Sequence, residues 1–239
     1  MQLSDRLSAI AAMVSKGNRL VDVGTDHGYL PIFLVESGQV PSAIAMDINQ
    51  GPIERAKEHI KEHNLESYIT TRLSDGLTAL NINEGDTLVI AGMGGGLVRK
   101  IIKEGEKQVK SFKELILQPQ SEIELVRKFL VECGYRIVEE NMIVEDDKFY
   151  PMMKAIKGEV LPYNKTIFYK YGKGLLESKN TVLKLFLEKE FITYSNILNK
   201  LIAHPKQKDG ERCKEVKLEL EYIKEAFTYY DESCVNKSV

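Results

Sequence analysis

Apolar residues in the first two thirds of the chain form short continuous runs separated by stripes of helical spacing. A stripe such as Ile53, Ala56 and Ile60 repeats every three or four positions and predicts an amphipathic helix. The continuous runs predict buried strands at 20–24, 42–48, 68–73, 86–91 and 112–118. This alternation is typical of an α/β fold with a doubly wound, largely parallel sheet.

The end of this region has a different pattern. Two further strands, 135–145 and 149–157, are joined by a short polar turn and therefore predict a terminal hairpin with an antiparallel last strand. Gly158, Pro162 and Asn164 follow within a few residues and mark a boundary. We expect a first domain at 1–158 and a second, all-α domain at 159–239.

The second domain carries two apolar stripes of coiled-coil spacing. One runs from Leu183 to Leu201 and the other from Cys213 to Tyr230, with a polar loop at 204–210 between them. Such a pair predicts an antiparallel helical hairpin. Its basic residues suggest a second role in binding nucleic acid, although a solvated helix surface explains each one equally well. The last segment, 231–239, is expected to be a frayed tail.

Composition narrows the class of protein. The net charge of −2 conceals a mildly basic end, because residues 160–239 carry 14 Lys/Arg against 11 Asp/Glu. The chain has no run of 18 apolar residues and no basic-then-apolar start, so we expect a cytoplasmic protein that does not bind membranes. Three scattered cysteines suggest neither disulfides nor a metal site. His59 and His63 have a metal-binding spacing but no third ligand, so no metal is expected.

A glycine turn between the first strand and its helix is the first candidate for chemistry. It reads Asp22-x-Gly24-x-x-x-Gly28, with Asp26 and Tyr29 where a dinucleotide-binding turn needs glycines. Acids in this turn suit a cationic ligand rather than a pyrophosphate. The alternative is an ordinary strand–turn–helix with a helix-capping residue.

Further candidates follow the later strands. Asp47 lies 19 residues after Gly28 at the end of the second strand, where α/β sheets that bind nucleosides place an acid against the ribose hydroxyls. A second glycine turn, Gly92-Met-Gly-Gly-Gly96, follows the fourth strand. So many glycines in one turn predict that a ligand or another chain segment approaches the backbone closely.

These segments together carry a resemblance to a known family. LSDRL, DVGTDHGYLPI, MDIN, LSDGL and IAGMGGG occur in the same order as in the bacterial tRNA (adenine(22)-N(1))-methyltransferases, which are class I enzymes dependent on S-adenosyl-L-methionine (SAM). The chain lacks the Asn/Asp-Pro-Pro-Tyr/Phe tetrapeptide of many amino-group methyltransferases. The resemblance implies a seven-stranded sheet of order 3-2-1-4-5-7-6 and methyl transfer from SAM to N1 of an adenine in the D-arm of tRNA.

The resemblance also implies site residues. Asp75 would lie near the adenine of SAM, although a turn-forming Asp-Gly pair is an equal alternative. The expected cofactor-binding residues are Asp22, Gly24, Thr25, Asp26, His27, Gly28, Asp47, Ile48, Ser74, Asp75, Gly76, Gly92, Met93 and Gly94. The expected catalytic residues are Asp26, Met93 and Tyr150.

Two roles stay open at this stage. Asp26 would either accept a hydrogen bond from the 6-amino group of the target adenine or bind the amino group of SAM. Tyr29 and Tyr150 would stack on the flipped base or belong to the core, and the core is favoured for Tyr29. Three other functions are considered: a SAM enzyme with another acceptor, a nicotinamide-dependent dehydrogenase and a non-catalytic RNA-binding module. We expect tRNA as the macromolecular partner and a monomeric enzyme.

Overall fold

The computed structural model describes residues 1–203 and 210–230 of the chain. Residues 204–209 of the predicted polar loop 204–210, with Lys206 and Lys208, lie outside the described residues, as does the predicted tail 231–239 with Cys234. The chain divides into two compact units, 1–162 and 163–239. None of the helices in the described ranges is long and apolar enough to cross a membrane.

The first unit alternates strands and helices up to its terminal hairpin. Its strands are β1 Leu20–Val23, β2 Ala43–Asp47, β3 Ile69–Leu73, β4 Thr87–Met93, β5 Glu114–Pro119, β6 Tyr135–Glu145 and β7 Lys148–Lys157. Its helices are α1 Asp5–Met13, α2 Tyr29–Glu36, α3 Gln50–Glu62, α4 Gly95–Glu104, α5 Glu106–Val109 and α6 Ile123–Glu132. The four-residue helix α5 was not predicted.

The strands form one seven-stranded sheet in the order β3-β2-β1-β4-β5-β7-β6. β1 to β5 are parallel, and β7 runs antiparallel to both β5 and β6. The predicted fold class and strand order are confirmed. β1 lies between β2 and β4, so the order reverses there, and the carboxyl ends of β1 and β4 form the crevice where open α/β sheets bind ligands.

Burial on both faces explains why the central strands are continuous apolar runs. All four residues of β1 and all six of β5 are buried. One core cluster contains residues of α4 and α6, and a second contains residues of α1, α2 and α3. The sheet is therefore covered by helices on both faces, as a parallel sheet requires. In the hairpin formed by β6 and β7, Asp146 and Asp147 both have positive φ angles, which suits the tight turn between these strands.

The second unit contains the predicted pair of long helices. A π-helical turn at Phe168–Gly172 and α7 Lys173–Glu177 precede α8 Thr181–Ala203 and α9 Glu211–Phe227. The Tyr230 hydroxyl donates to the Asn180 carbonyl over 2.9 Å, so the start of α8 lies beside the end of α9. Phe191 and Phe227 meet edge to face with ring centroids 6.4 Å apart. The two helices are antiparallel, and their facing positions are the apolar stripes of the sequence.

Candidate active site

The two glycine turns lie side by side because β1 and β4 are neighbouring parallel strands. Val23 pairs with Ile90, so Gly24 and the turn at Gly92 follow at the same edge of the sheet. Gly24 has φ +82°, a left-handed conformation that favours glycine, and a Cβ there would overlap the methyl group of Met93. Met93 therefore spans the gap between the turns, and Gly24 is needed to make room for it.

The first turn contains buried polar atoms that have no hydrogen-bond partner of good geometry among the described residues. They are the Thr25 hydroxyl oxygen and Nδ1 of His27. The turn itself is well anchored, since the Gly24 and Thr25 amides both donate to the Met46 carbonyl at 2.8 and 2.9 Å. Buried polar groups in folded proteins are rarely unpaired, so these two atoms are candidates for contacts with a bound ligand.

Asp22 is the buried acid of the site. Asp22 lies on β1 and is only 7% exposed. Burial raises the pKa of the Asp22 carboxyl to about 6, and the neighbouring Asp47 carboxylate acts in the same direction. The nearby Thr25 hydroxyl and the Arg6 guanidinium lower this pKa. A carboxylate in this setting is poised to accept a cationic group.

Asp26, in contrast, points away from the buried part of the turn. Its side chain is 66% exposed and forms an ion pair of 2.9 Å with Nη2 of Arg55 on α3. Nε2 of His27 lies 3.4 Å from the same carboxylate oxygen. An exposed ion pair of this kind contributes little to stability. Asp26 is therefore free to change partner at small cost.

Three aromatic rings lie on the outer side of the first turn. The rings of His27, Tyr29 and His59 are nearly parallel, with centroids 5.1–5.4 Å apart. Tyr29 is 37% exposed, so the expectation that it belongs to the core is wrong. It begins α2 on the face turned away from the sheet.

The two histidines with metal-binding spacing have separate partners. His59 Nδ1 lies 2.9 Å from the His27 carbonyl, and His63 Nδ1 lies 2.5 Å from the Glu36 carboxylate. Within residues 1–203 and 210–230, no group of three or more His, Cys, Asp or Glu side chains is arranged to hold a metal ion.

The ends of β2 and β3 bring the next candidates together. Asp47 is half-buried and accepts a hydrogen bond of 2.7 Å from the Asn49 amide, while Ile48 is 58% exposed. The Ser74 amide donates to the Asp47 carbonyl over 2.8 Å, and the buried Ser74 hydroxyl donates to the Gly76 carbonyl over 2.9 Å. Asp75 is exposed beside them. From β1 outwards, the edge of the sheet thus carries the Asp47 carboxylate, the exposed side chain of Ile48 and the Asp75 carboxylate.

The second glycine turn has two kinds of glycine. A Cβ on Gly95 would overlap the Ser121 carbonyl, so this glycine is required by packing against the loop before α6. Gly92 and Gly94 are exposed at the edge of the sheet; a Cβ on Gly92 would make only ordinary contacts, with Arg6 and Gln120, whereas one on Gly94 would lie 3.2 Å from the Ser121 hydroxyl. These two are therefore available to a ligand.

Two residues beside this turn were not predicted as site residues. Gln118, fully buried on β5, accepts hydrogen bonds through Oε1 from the Gly92 amide at 3.1 Å and from Nη1 of Arg6 at 3.2 Å. The Arg6 guanidinium also lies over the ring of Tyr150, 5.7 Å from its centroid. Arg6 belongs to the motif LSDRL, but that motif does not indicate a contact with Gln118.

Comparisons with known proteins agree with this geometry. The sequence profile of the methyltransferase-domain family matches residues 3–153. The tRNA (adenine(22)-N(1))-methyltransferase of Bacillus subtilis (strain 168) is 35% identical over 159 residues, which are 66% of this chain and 67% of that protein. The chain belongs to this methyltransferase family. The resemblance seen in the sequence motifs is therefore confirmed.

Solved structures of the tRNA (adenine(22)-N(1))-methyltransferase family extend the match to both units. The B. subtilis m1A22 tRNA methyltransferase has a TM-score of 0.83 and 29% identity, covering 94% of this chain and 98% of that chain. The M. capricolum enzyme in complex with S-adenosyl-homocysteine has a TM-score of 0.84 and 26% identity, covering 97% and 100%. The second unit is thus part of the shared architecture.

Proposed function

We propose that this protein transfers a methyl group from SAM to N1 of adenine 22 in tRNA. The observation that carries the proposal is the crevice at the reversal point of the sheet, where two glycine turns face each other beside a buried carboxylate in a chain of this methyltransferase family. SAM, when bound, supplies an electrophilic methyl group on a sulfonium centre. The residues of the crevice bind and orient the two substrates.

The chemistry of the donor set fits SAM. Asp22, with Thr25 and His27 beside it, offers a negative charge and unpaired polar atoms to the amino-acid portion of a cationic ligand. We assign Asp47 to the ribose of SAM, where it would accept hydrogen bonds from the hydroxyls. The exposed side chain of Ile48 gives the adenine an apolar surface. The turn at 74–76, which includes Asp75, completes the adenine end of the site.

Methyl transfer to N1 of adenine requires little proton chemistry. This nitrogen has a lone pair in the plane of the ring and no proton, so no general base is needed before attack. Catalysis rests on holding N1 in line with the sulfur–methyl bond, and orientation of this kind contributes up to ~7–11 kcal/mol. The product is a cationic adenine, and a carboxylate that accepts a hydrogen bond from its 6-amino group stabilises the developing charge.

We assign the acceptor side to the second glycine turn and its neighbours. Met93 separates the turns and limits the path of the methyl group, while the ring of Tyr150 provides a stacking surface for a base that has left its helix. Asp26 is assigned to the 6-amino group of the target base. This role requires its ion pair with Arg55 to open when tRNA binds.

The second unit is assigned to tRNA binding. Several lysines on α8 and α9 form no ion pair with a described residue, and we choose three of them for phosphate contacts: Lys200, Lys214 and Lys217. We further propose a monomeric enzyme, and a cytoplasmic location because bacterial tRNA is found in the cytoplasm. Light scattering should give a mass near 27.1 kDa. A mass of twice this value would reject the monomer.

The test of the function supplies methyl-labelled SAM and unmodified tRNA. The expected result is label in tRNA, and no label in a matched tRNA that carries guanine in place of adenine 22. Equal labelling of both tRNAs would reject the position while keeping the reaction class. Labelling of a protein or metabolite fraction but not of tRNA would replace tRNA with another acceptor. Binding of tRNA without binding of SAM would indicate a non-catalytic RNA-binding module.

A further inference from the structure

A second cavity opens in the first unit, at the ends of helices α4 and α6. Its volume is about 450 Å³, which is within the range of pockets that hold small molecules. Both helices begin beside the second glycine turn, where the Gly95 amide donates to the Ser121 carbonyl. Ten residues at 1.5 Å each place their ends roughly 15 Å away, at the opposite edge of the sheet. The cavity is therefore separate from the crevice of the proposed methyl transfer.

The inner wall of this cavity is apolar. Ile102 at the end of α4 and Val109 at the end of α5 are buried, and Phe129 on α6 is half-buried. A planar apolar molecule that packs against these side chains would be removed from water, which is the main source of affinity in pockets of this size.

Tyr135 adds a hydrogen-bond donor to the apolar wall. The residue is only 5% exposed, and its hydroxyl has no hydrogen-bond partner in the ranges 1–203 and 210–230. Burial raises the pKa of the Tyr135 phenol, and Cys133 and Glu106, which also line the cavity, act in the same direction. The hydroxyl thus lies on the cavity side and is neutral at pH 7. Because buried hydroxyls are rarely left unpaired, this O–H group is available to a bound molecule.

The rim of the cavity carries an excess of positive charge. Lys110 is paired with Glu106 over 2.5 Å, whereas the exposed Lys103 and Lys157 form no ion pair with a described residue. Glu132 is the one further acid among the described lining residues, and it is also without an ion pair. Two free cations therefore face one free carboxylate. This balance favours a ligand with a single negative charge over a cation.

We propose that this cavity is a binding site for a small aromatic monoanion. The planar body packs against Ile102, Val109 and Phe129. The Tyr135 hydroxyl donates a hydrogen bond to it, and its negative group lies at the rim beside Lys103 and Lys157. The inference does not depend on the methyl-transfer function, because no residue of the crevice takes part in it.

The experiment uses 1-anilinonaphthalene-8-sulfonate, an aromatic monoanion that fluoresces in apolar sites. Titrations of the whole chain, with and without SAM, measure the Kd and stoichiometry of the dye, and thermal unfolding checks that each variant folds. The variants are Lys103→Gln, Lys157→Gln and Tyr135→Phe. The matched control is Lys61→Gln, because Lys61 is exposed on α3, which packs on the other face of the sheet, and forms no ion pair with a described residue.

The proposal predicts one dye molecule per chain and a Kd that SAM does not change. At least one of the two lysine variants should weaken the dye about threefold to tenfold, and Tyr135→Phe about twofold to tenfold, while Lys61→Gln stays within about twofold. The anion 1-naphthoate should displace the dye at a concentration at least about threefold lower than its neutral analogue 1-naphthamide does, because only the anion gains the attraction of the lysines.

Cys133 gives an independent measure of occupancy, since it is exposed and lines the cavity. Iodoacetamide should alkylate its thiol, and saturating dye should slow this alkylation at least about threefold. Peptide mass spectrometry follows Cys133 separately from the other two cysteines of the chain.

Several results would overturn the proposal. They are absence of dye binding, displacement of the dye by SAM, affinity unchanged in all three cavity variants, and alkylation of Cys133 that the dye does not slow. Displacement by tRNA would also overturn it, because the lysines would then belong to a nucleic-acid surface. If Tyr135→Phe does not fold, the two lysine variants and the alkylation decide the outcome, since both lysines are exposed.

Discussion

Replacing Asp22 with asparagine removes a negative charge that the fold buries at a cost. Burial raises the pKa of this carboxyl from its ordinary 3.8 to about 6. A raised pKa means that the folded protein holds its proton more tightly than the unfolded chain does. Wild-type stability should therefore fall as the pH rises from 3.8 to 6 and then level off, so the asparagine variant should be the more stable protein at neutral pH.

The size of this effect follows from the two pKa values. At 1.36 kcal/mol per pKa unit, the buried carboxylate destabilises the ligand-free protein by ~3 kcal/mol at pH 7.5 and by about half as much at pH 5. The same carboxylate should favour a cationic ligand. We expect Asp22→Asn to weaken SAM binding by about tenfold to a hundredfold at pH 7.5, because a charge-assisted hydrogen bond is removed. Stability and binding thus change in opposite directions.

The assay pairs urea unfolding without ligand at pH 5 and 7.5 with calorimetric titration of SAM at both values. Wild-type affinity should fall about tenfold from pH 7.5 to pH 5, because most Asp22 carboxyls are then protonated. The affinity of Asp22→Asn should show little of this dependence. An asparagine variant that is less stable than wild type at pH 7.5, or that binds SAM equally well, would refute the reasoning.

Three further variants test other parts of the account. Gly24→Ala should reduce SAM affinity at least about tenfold and lower stability by ~1 kcal/mol, because Gly24 has a left-handed φ and a Cβ there would displace Met93. Calorimetry measures the affinity and thermal unfolding measures the stability. Unchanged SAM binding would contradict this prediction. Arg127→Met should lower the free energy of unfolding in urea by ~3–5 kcal/mol. The reason is that Arg127 and Glu140 form an ion pair with side chains only 1% and 2% exposed, and the variant removes the positive partner. A decrease below ~1 kcal/mol would argue against this. Changing Lys200, Lys214 and Lys217 together to glutamine should weaken tRNA binding and lower its salt slope by about one for each phosphate that is no longer neutralised, with SAM affinity as the control. An unchanged slope would remove helices α8 and α9 from the tRNA interface.

The strands of the fold could be predicted from the sequence because the central ones are completely buried. Strands such as β1 and β5 are buried on both faces, so their apolar runs are continuous and short. The order of the strands needed the family resemblance, since an alternating pattern is compatible with several orders. Helix α5 was missed because four residues are too few to show a helical period.

Contacts between distant residues account for what sequence reasoning missed in the site. Arg6 and Gln118 are 112 positions apart, and only the packing of α1 against the end of β5 brings them together. Tyr29 was expected in the core, but its position at the first turn of α2 turns it outwards. The role of Asp26 depends on Arg55, a neighbour from another helix that the motif does not contain.

The central claim is most directly tested by mapping the modified base. Unmodified tRNA is incubated with the protein and SAM, and primer extension by reverse transcriptase then reads the product, because a methyl group on N1 blocks Watson–Crick pairing. We predict a SAM-dependent stop at adenine 22 that is absent when SAM is omitted. Methylated tRNA that is read through without a stop in the D-arm would contradict the account.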